Sequence, residues 1–191
     1  MMLPFAIIAI MLAACSQQTP SGATDITGAM PRLQFSMTRA NDGRPVTAND
    51  YRGKVVALYF GYTHCPDQCP TTLANLAAVL KRLGSQAKGV RVLFVSVDPN
   101  RDSLPMLKAY VSTFAPQIDG LRGTPDQIAR LTRRYRVVYR VTPASPGHPY
   151  EVNHSSTVYI FDPSGRARLV ALQTDNTKAI ATDFANLMPT S

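Results

Sequence analysis

The sequence predicts an α/β fold built around a mixed sheet, and two apolar runs with the segment between them carry this prediction. The runs KVVALYFGY (54–62) and RVLFVSVDP (91–99) are rich in β-branched and aromatic residues, as in strands buried on both faces. Between them, TLANLAAVLKRLG (72–84) repeats its leucines at helical spacing and ends at a glycine. Strands and helices that alternate in this way predict α/β layers within one domain.

Two hairpins and three further helices complete the predicted fold. LQFSMTRANDGRPVT (33–47) predicts an N-terminal β-hairpin with an Asn-Asp-Gly turn, and STVYIFDPSGRARLVAL (156–172) predicts two strands around an Asp-Pro-Ser-Gly turn. Proline stands near the start of two of the helical patterns, where the first turn tolerates it. The three helices are predicted at residues 103–115, 125–136 and 176–188.

Composition and charge are those of an ordinary globular domain. Of 191 residues, 45% are hydrophobic and 17% are charged. The net charge is +8, but Lys and Arg are spread along the chain, and the short cluster at 133–136 falls inside a helical pattern. This distribution favours a solvated basic face, and no motif of a nucleic-acid-binding domain accompanies it. We therefore expect no nucleic acid partner.

Residues 1–15, MMLPFAIIAIMLAAC, predict a lipoprotein signal segment. The apolar run is too short for a typical membrane-spanning helix, and its end, LAAC, resembles a bacterial lipobox in which Cys15 is lipidated and becomes the new N-terminus. Residues 16–30 are polar and predict a flexible tether, so that 31–191 form the folded domain. We expect a membrane-anchored lipoprotein that faces the periplasm of a bacterial cell envelope. The alternative is an N-terminal membrane anchor with an incidental cysteine.

The cysteine count follows from this expectation. The chain has three cysteines, and if Cys15 carries lipid, Cys65 and Cys69 remain as a pair. An exported domain lies in an oxidising compartment, where two close thiols form a disulfide unless they are kept reduced or bind a metal.

The pair lies in GYTHCPDQCP (61–70), where each cysteine precedes a proline. A residue before proline is disfavoured in the helical region, so we expect a tight loop that ends at Cys69, with Pro70 as the first helical residue. Cys69 would then lie at a helix N-terminus. The dipole there lowers the pKa of a thiol and favours the thiolate, which binds metals and attacks disulfides.

Three roles remain open for the pair from the residues alone. Thiol–disulfide exchange uses two close cysteines, although its commoner spacing is C-x-x-C. A third intervening residue widens the loop and leaves room for a metal ion between two sulfurs. A closed zinc site needs four ligands, whereas two thiolates with one imidazole suit copper. A structural disulfide is the third possibility.

Three histidines are candidates for the imidazole. His64 adjoins Cys65, and in extended backbone its side chain points away from that cysteine. His148 lies in the proline-rich TPASPGHPY, where we expect it to be exposed to solvent. His154 lies just ahead of a predicted strand, and a neighbouring antiparallel strand could bring it beside the cysteine loop. Spacing alone does not decide whether His154 is a ligand.

A family resemblance adds to this picture. YRGKVVALYFGYTHCPDQCP (51–70) closely resembles the motif of the Sco family, also called SenC, whose members act in the synthesis of cytochrome c oxidase. The resemblance covers residues 33–188 and implies a thioredoxin-like fold, with α/β/α layers around a central mixed sheet. Three further stretches agree in order: VSVDPNRDSLPML (95–107), YRVVYRVTP (135–143) and VNHSSTVYIFDPSGR (152–166).

The resemblance also implies a ligand set and a role. The family's copper ligands are the two cysteines of this motif and a distal histidine, which match Cys65, Cys69 and His154. The implied role is that of a copper chaperone, which delivers Cu(I) or Cu(II) to the dinuclear centre of cytochrome c oxidase subunit II or another copper enzyme, or keeps that centre's thiols reduced. Envelope thiol reductants or copper donors would be further partners. The family usually has Asp where this chain has Asn153, which we expect to weaken copper(II) binding.

Two other interpretations of the function remain open. The same scaffold suits an envelope thiol–disulfide oxidoreductase in which Cys65 and Cys69 are a catalytic redox pair and His154 is incidental. It also suits an interaction module held by a disulfide. Asp98 is either a strand terminator or a functional carboxylate, and we expect Asp67 to be a solvated loop residue.

Overall fold

The computed structural model describes residues 21–147 and 150–189. Cys15 and His148 lie outside the described residues, so the predictions for both stay predictions. The strands are β1 (Thr24–Asp25), β2 (Ser36–Arg39), β3 (Pro45–Thr47), β4 (Val55–Gly61), β5 (Val90–Ser96), β6 (Ile118–Arg122), β7 (Tyr139–Thr142), β8 (Glu151–His154), β9 (Val158–Phe161) and β10 (Ala167–Ala171). The α-helices are α1 (Gln68–Leu83), α2 (Leu104–Ser112), α3 (Pro125–Arg134) and α4 (Thr177–Leu187), with 3₁₀ turns at Ala48–Tyr51 and Gly84–Gly89.

Eight of the described strands form one mixed sheet in the order β1-β10-β9-β4-β5-β6-β2-β3. At its centre β4, β5 and β6 run parallel, and the flanking strands join antiparallel. The strands β7 and β8 pair with each other in a separate antiparallel ribbon. The predicted mixed α/β architecture is confirmed.

The core surrounds the central strand β4, whose seven residues are all buried. Its side chains alternate between the two faces, so the layers on both sides of the sheet cover it. Helices α1 and α4 pack against each other, and α2 packs against β6. The buried aromatic residues Tyr59, Phe60, Phe94 and Phe161 fill the space around β4.

The two predicted hairpins occur where the sequence placed them. In the first, Ser36 pairs with Thr47, and Gly43 adopts a φ of 73° in the turn, which favours glycine. In the second, Val158 pairs with Ala171 across the turn between β9 and β10. All four predicted helices are present, each within a few residues of its expected bounds.

Strands β1 and β6 and the β7–β8 ribbon were not predicted. Thr24 and Asp25 of β1 pair with β10, so the sheet includes part of the segment 16–30 that was expected to be a flexible tether. The strand β6 has the sequence IDGLR, in which a charged residue and a glycine interrupt the apolar pattern. It is nevertheless mostly buried, because β5 and β2 pair with it on both sides. The ribbon strands alternate exposed residues with buried or half-buried ones, and each is only four residues long. Within the part of the chain that the structure describes, no helix is long and apolar enough to cross a membrane.

Candidate metal centre

Cys65, Cys69 and His154 come together at one end of the sheet. Their two sulfurs and one imidazole nitrogen all lie within 4.8 Å of one another. The cysteines belong to the loop after β4 and to the first turn of α1, and His154 is the last residue of β8. Two distant parts of the chain therefore contribute to a single cluster.

Strand pairing explains how His154 reaches the cysteines. The strands β4 and β9 are antiparallel, with Tyr59 opposite Val158, so β9 begins at the end of the sheet where β4 finishes. Only residues 155–157 separate His154 from β9. The antiparallel neighbour that the sequence suggested is present, although His154 ends the preceding strand β8 instead of standing ahead of β9 in a loop.

The hydrogen bonds of His154 define its tautomer. Its Nδ1 lies 3.0 Å from the carbonyl oxygen of Ser155, which only accepts hydrogen bonds, so Nδ1 carries the proton. Its Nε2 lies 3.3 Å from Cys69 Sγ and keeps its lone pair directed at the cysteines. Burial lowers the pKa of His154, which favours this neutral form. The imidazole is therefore already in the state that binds a metal.

Two tyrosine rings hold the imidazole plane in place. The rings of Tyr59 and Tyr62 pack edge-on against His154, with ring centroids 6.2 and 5.7 Å away. Both tyrosines are buried: Tyr59 belongs to β4, and Tyr62 directly follows its last residue.

The helix α1 begins earlier than the sequence suggested. We expected Pro70 to be its first residue, but α1 starts at Gln68, so that Cys69 and Pro70 lie inside its first turn. Proline is tolerated there because the first-turn N–H groups have no partner within the helix. One of these groups, the N–H of Cys69, lies 3.4 Å from Cys65 Sγ and donates to it. The helix start thus links the two cysteines.

The expected lowering of the Cys69 pKa is wrong. Cys69 is fully buried, and burial raises the pKa of its thiol to about 12. The helix N-terminus favours an anion, but the loss of solvation in the buried pocket raises the pKa of the thiol more than the helix dipole lowers it. Without a cation, Cys69 is a neutral thiol whose hydrogen can point to Nε2 of His154.

Asp102 anchors the loop that carries the cysteines. Its fully buried carboxylate accepts hydrogen bonds from the backbone N–H of Thr63 at 3.1 Å, from the Thr63 hydroxyl at 2.6 Å and from the Ser96 hydroxyl at 2.6 Å. These bonds connect the ends of β4 and β5 two residues before Cys65. The sequence reasoning missed Asp102; its signal was an aspartate beyond the end of a strand that is parallel to β4.

A second polar group lies beside the cluster. Asp98 is buried and accepts hydrogen bonds from the Tyr150 hydroxyl at 2.8 Å and from Arg101 Nε at 2.5 Å. The Arg101 guanidinium lies 3.9 Å from the centroid of the Tyr150 ring and 5.7 Å from that of Tyr62. Asp98 is thus more than a strand terminator, because it fixes an arginine against the tyrosine that contacts His154.

Other candidates from the sequence lie outside the cluster. His64 is largely exposed, and its Nδ1 lies 3.7 Å from Asp102 instead of near Cys65. Asp67 is exposed, as expected. Asn153 is exposed on β8, and among the described residues the Nδ1 partner of His154 is Ser155, not Asn153.

The donor set favours a soft cation. Two sulfurs and one neutral imidazole are available, and within the described residues no fourth Cys, His, Asp or Glu joins the group. A closed zinc site takes four protein ligands, whereas soft thiolates with an imidazole suit copper. The layered α/β domain and this three-donor cluster together define a thiolate- and imidazole-based metal-binding protein.

Comparison with known proteins assigns the chain to a family. Residues 26–189 match the family model of SCO1/SenC, and the chain belongs to this family. It is 37% identical over 155 residues to the mitochondrial protein SCO2 homolog of Bos taurus, which covers 76% of this chain and 58% of the relative. The chain spans about half the length of the curated relatives that it matches.

Solved structures agree with this assignment. The structure of Bradyrhizobium japonicum ScoI with copper bound is 36% identical, has a TM-score of 0.73, and the match covers 82% of this chain and 99% of that one. The solution structure of apo Sco1 from Thermus thermophilus is 29% identical with a TM-score of 0.79, over 91% and 99% of the two chains. The predicted thioredoxin-like fold is confirmed.

The burial of the two thiols predicts a difference in their reactivity. Cys65 is half-buried, whereas Cys69 is fully buried and its thiolate is disfavoured. In pulse alkylation of the reduced, metal-free protein near neutral pH, we expect Cys69 to react about tenfold more slowly than Cys65. Mass spectrometry of the peptides measures both rates, and the urea-unfolded protein is the control. Equal rates in the folded protein would contradict this geometry.

Gly61 leaves the space that the Cys69 sulfur occupies. A Cβ at this position would lie 2.7 Å from Cys69 Sγ and 2.5 Å from Cε2 of buried Phe94. We expect Gly61→Ala to lower the free energy of unfolding by about 1–3 kcal/mol and to displace the sulfur from the cluster. Urea unfolding and metal titration measure the two effects.

A matched glycine serves as the control for this substitution. A Cβ at Gly89 would meet its nearest atom, Met188 Sδ, at an ordinary 3.5 Å, so Gly89→Ala should leave both stability and metal binding near those of the wild type. If Gly61→Ala behaved like Gly89→Ala, the close packing around Cys69 would not constrain the site.

Proposed function

We propose that this protein is a copper chaperone that holds copper through Cys65, Cys69 and His154 and serves the assembly of a copper enzyme. One observation carries the proposal: three donors from two distant segments lie within 4.8 Å of one another, and they are the donors that copper prefers. Copper is here the cargo of the protein.

Copper(I) and copper(II) should depend differently on the three donors of the cluster. Copper(I) is a soft d10 ion that two thiolates alone can hold, while copper(II) is harder and gains more from the added nitrogen. Both cysteines are free thiols in the structure, and only the reduced pair can give two thiolates. Copper binding should therefore require the reduced state and release protons from the thiols.

The exposure of the three donors suggests how copper is handed on. Cys69 is fully buried, whereas Cys65 and His154 are half-buried and form the solvent side of the cluster. A partner's thiolate or imidazole would therefore reach copper on the side of Cys65 and His154. These two ligands would exchange first, and Cys69 would release copper last.

The family relationship supports the identity of the partner. The compared ScoI structure from Bradyrhizobium japonicum has copper bound. The sequence resemblance implied copper delivery to the dinuclear centre of cytochrome c oxidase subunit II or another copper enzyme, and maintenance of reduced thiols in that centre. We propose this role for the present chain, with envelope copper donors or thiol reductants acting before it.

Thiol–disulfide exchange is the second candidate, and the proximity of two free thiols favours it. In that reaction Cys65, the more accessible thiol, would attack a partner disulfide, and Cys69 would then displace the partner to close the Cys65–Cys69 disulfide. The partner would gain two electrons. The raised pKa of Cys69 would slow its step, and this reaction would leave His154 without a role.

Copper titration with single variants tests the proposal. His154→Ala should lower the affinity for copper(II) far more than that for copper(I), while Cys65→Ser and Cys69→Ser should weaken both. Competition against chelators of known affinity measures each oxidation state. Equal losses for the two ions in His154→Ala, or copper retention that does not depend on His154, would favour the exchange enzyme.

Two further samples, the oxidised protein and an Asn153 variant, complete the titration. The oxidised protein should bind no copper, because its sulfurs would be joined in a disulfide. Asn153→Asp tests the family difference: a carboxylate next to His154 should raise copper(II) affinity, by up to about tenfold if it contacts the imidazole. Since Asn153 is exposed and Ser155 accepts the Nδ1 hydrogen bond, we expect a smaller gain from a solvent-screened charge.

The proposed location follows from the first 15 residues. We propose that Cys15 is lipidated and anchors the protein to a membrane of the bacterial cell envelope, with the residues between Cys15 and β1 as the tether, because Thr24 and Asp25 already pair with β10. Intact-mass analysis of the membrane-extracted protein should find an acylated Cys15 at the N-terminus, and Cys15→Ser should abolish the modification. A mature protein that retained an unmodified Met1 would contradict this location.

A further inference from the structure

Four arginines line two adjoining clefts beside the segment that leads into β2. We call Arg32, Arg52, Arg130 and Arg134 the arginine face. Arg134 lines both clefts, together with Gln34 and Phe35. Not one of the residues that line these clefts is acidic. The arginine face is therefore a continuous basic surface.

These arginines differ from others in the same chain in having no acidic partner. Arg39, Arg101 and Arg168 each form an ion pair with an aspartate. Among the described residues, no carboxylate lies within 4.0 Å of the guanidinium groups of the arginine face. None of the four is held in a direct ion pair within the described part of the chain, so each guanidinium remains available to an external anion.

Backbone carbonyls hold the arginine face in position. Arg32 and Arg52 both donate to the carbonyl oxygen of Ser164, and Arg134 donates to that of Arg32 at 3.0 Å. The buried Tyr135 hydroxyl donates to the same Arg32 oxygen at 2.9 Å. A guanidinium has five N–H donors, so these contacts orient Arg32, Arg52 and Arg134 and leave most of their donors for phosphate oxygens.

The arginine face and the metal centre occupy opposite ends of the central strand. Ser164 lies in the turn between β9 and β10, and Phe161 just before that turn pairs with Val56 at the start of β4. The cysteines follow the last residue of β4, Gly61. Seven strand residues separate the two ends, which corresponds to about 23 Å.

We propose that the arginine face docks on the anionic phospholipid headgroups of the membrane to which the chain is anchored. This inference rests on the proposed anchoring at Cys15, which keeps the domain within reach of the bilayer. Arginine recognises phosphate oxygens through paired N–H groups, and no exposed aromatic ring lines the clefts to stack on a nucleic acid base. Docking directs the metal centre away from the lipid and towards its partners.

Arginine footprinting on the full, membrane-anchored chain tests this proposal. The protein is reconstituted in vesicles of phosphatidylcholine alone, or of phosphatidylcholine with phosphatidylglycerol, and treated with the arginine reagent phenylglyoxal. Peptide mass spectrometry gives the modification rate of each arginine. We expect the four rates of the arginine face to fall about fivefold in the anionic vesicles and to recover at high salt.

Exposed arginines elsewhere are the internal control. Arg44 and Arg140 are exposed and lie outside the clefts, so their rates should not depend on lipid charge. The double variant Arg32→Gln/Arg52→Gln should weaken the protection of Arg130 and Arg134, and the matched double variant Arg44→Gln/Arg140→Gln should preserve it. Equal rates in both kinds of vesicle, or equal protection of Arg44 and Arg140, would overturn the proposal.

Two further measurements distinguish lipid docking from the binding of free anions and from a failure of copper binding. If inorganic phosphate at physiological concentration gave the same protection in neutral vesicles, the face would be a site for free anions, and the lipid proposal would fail. Copper titration of the same samples should be unchanged by Arg32→Gln/Arg52→Gln. A failure of docking would therefore leave the copper proposal intact, and a failure of copper binding would not alter the footprint.

Discussion

The antiparallel pairing of β4 with β9 is the constraint on which the metal centre depends. It places the loop after Gly61 and the chain that enters Val158 at the same end of the sheet, so that His154 faces Cys69, which is 85 residues away along the chain. A slip of β9 by one residue against β4 would turn the side chains of β9 to the other face of the sheet and shift His154, which precedes β9, relative to the cysteines. The register of the sheet therefore determines the geometry of the three candidate ligand atoms.

Burial of Cys69 then decides the chemistry of the cluster. The sulfur lies in the space left by Gly61, where the thiolate is poorly solvated. A bound cation reverses this preference, since it stabilises the thiolate where water does not. His154 is kept neutral by burial and aimed at the sulfurs by its bond to Ser155, so its ligand atom needs no reorganisation. The pocket thus favours a thiolate that is bound to a soft cation over a thiolate that is free.

Much of this architecture could be predicted from local patterns. The runs around β4 and β5, the proline-marked helices and the Asn-Asp-Gly turn each express a backbone preference that sequence spacing reveals. Strand β6 escaped prediction because its burial comes from neighbouring strands and not from its own composition. The start of α1 and the pKa of Cys69 escaped it because helix position and solvation depend on the packed surroundings. Asp102 was missed because its hydrogen bonds join segments that are distant in sequence.

X-ray absorption spectroscopy of the copper(I)-loaded protein tests the central claim most directly, because it counts the atoms that bind the metal. The account predicts two sulfur scatterers and one nitrogen scatterer in the wild type, with only the nitrogen lost in His154→Ala. A spectrum with sulfur ligands alone, or one that is identical in wild type and His154→Ala, would contradict the assignment of Cys65, Cys69 and His154 as one copper site.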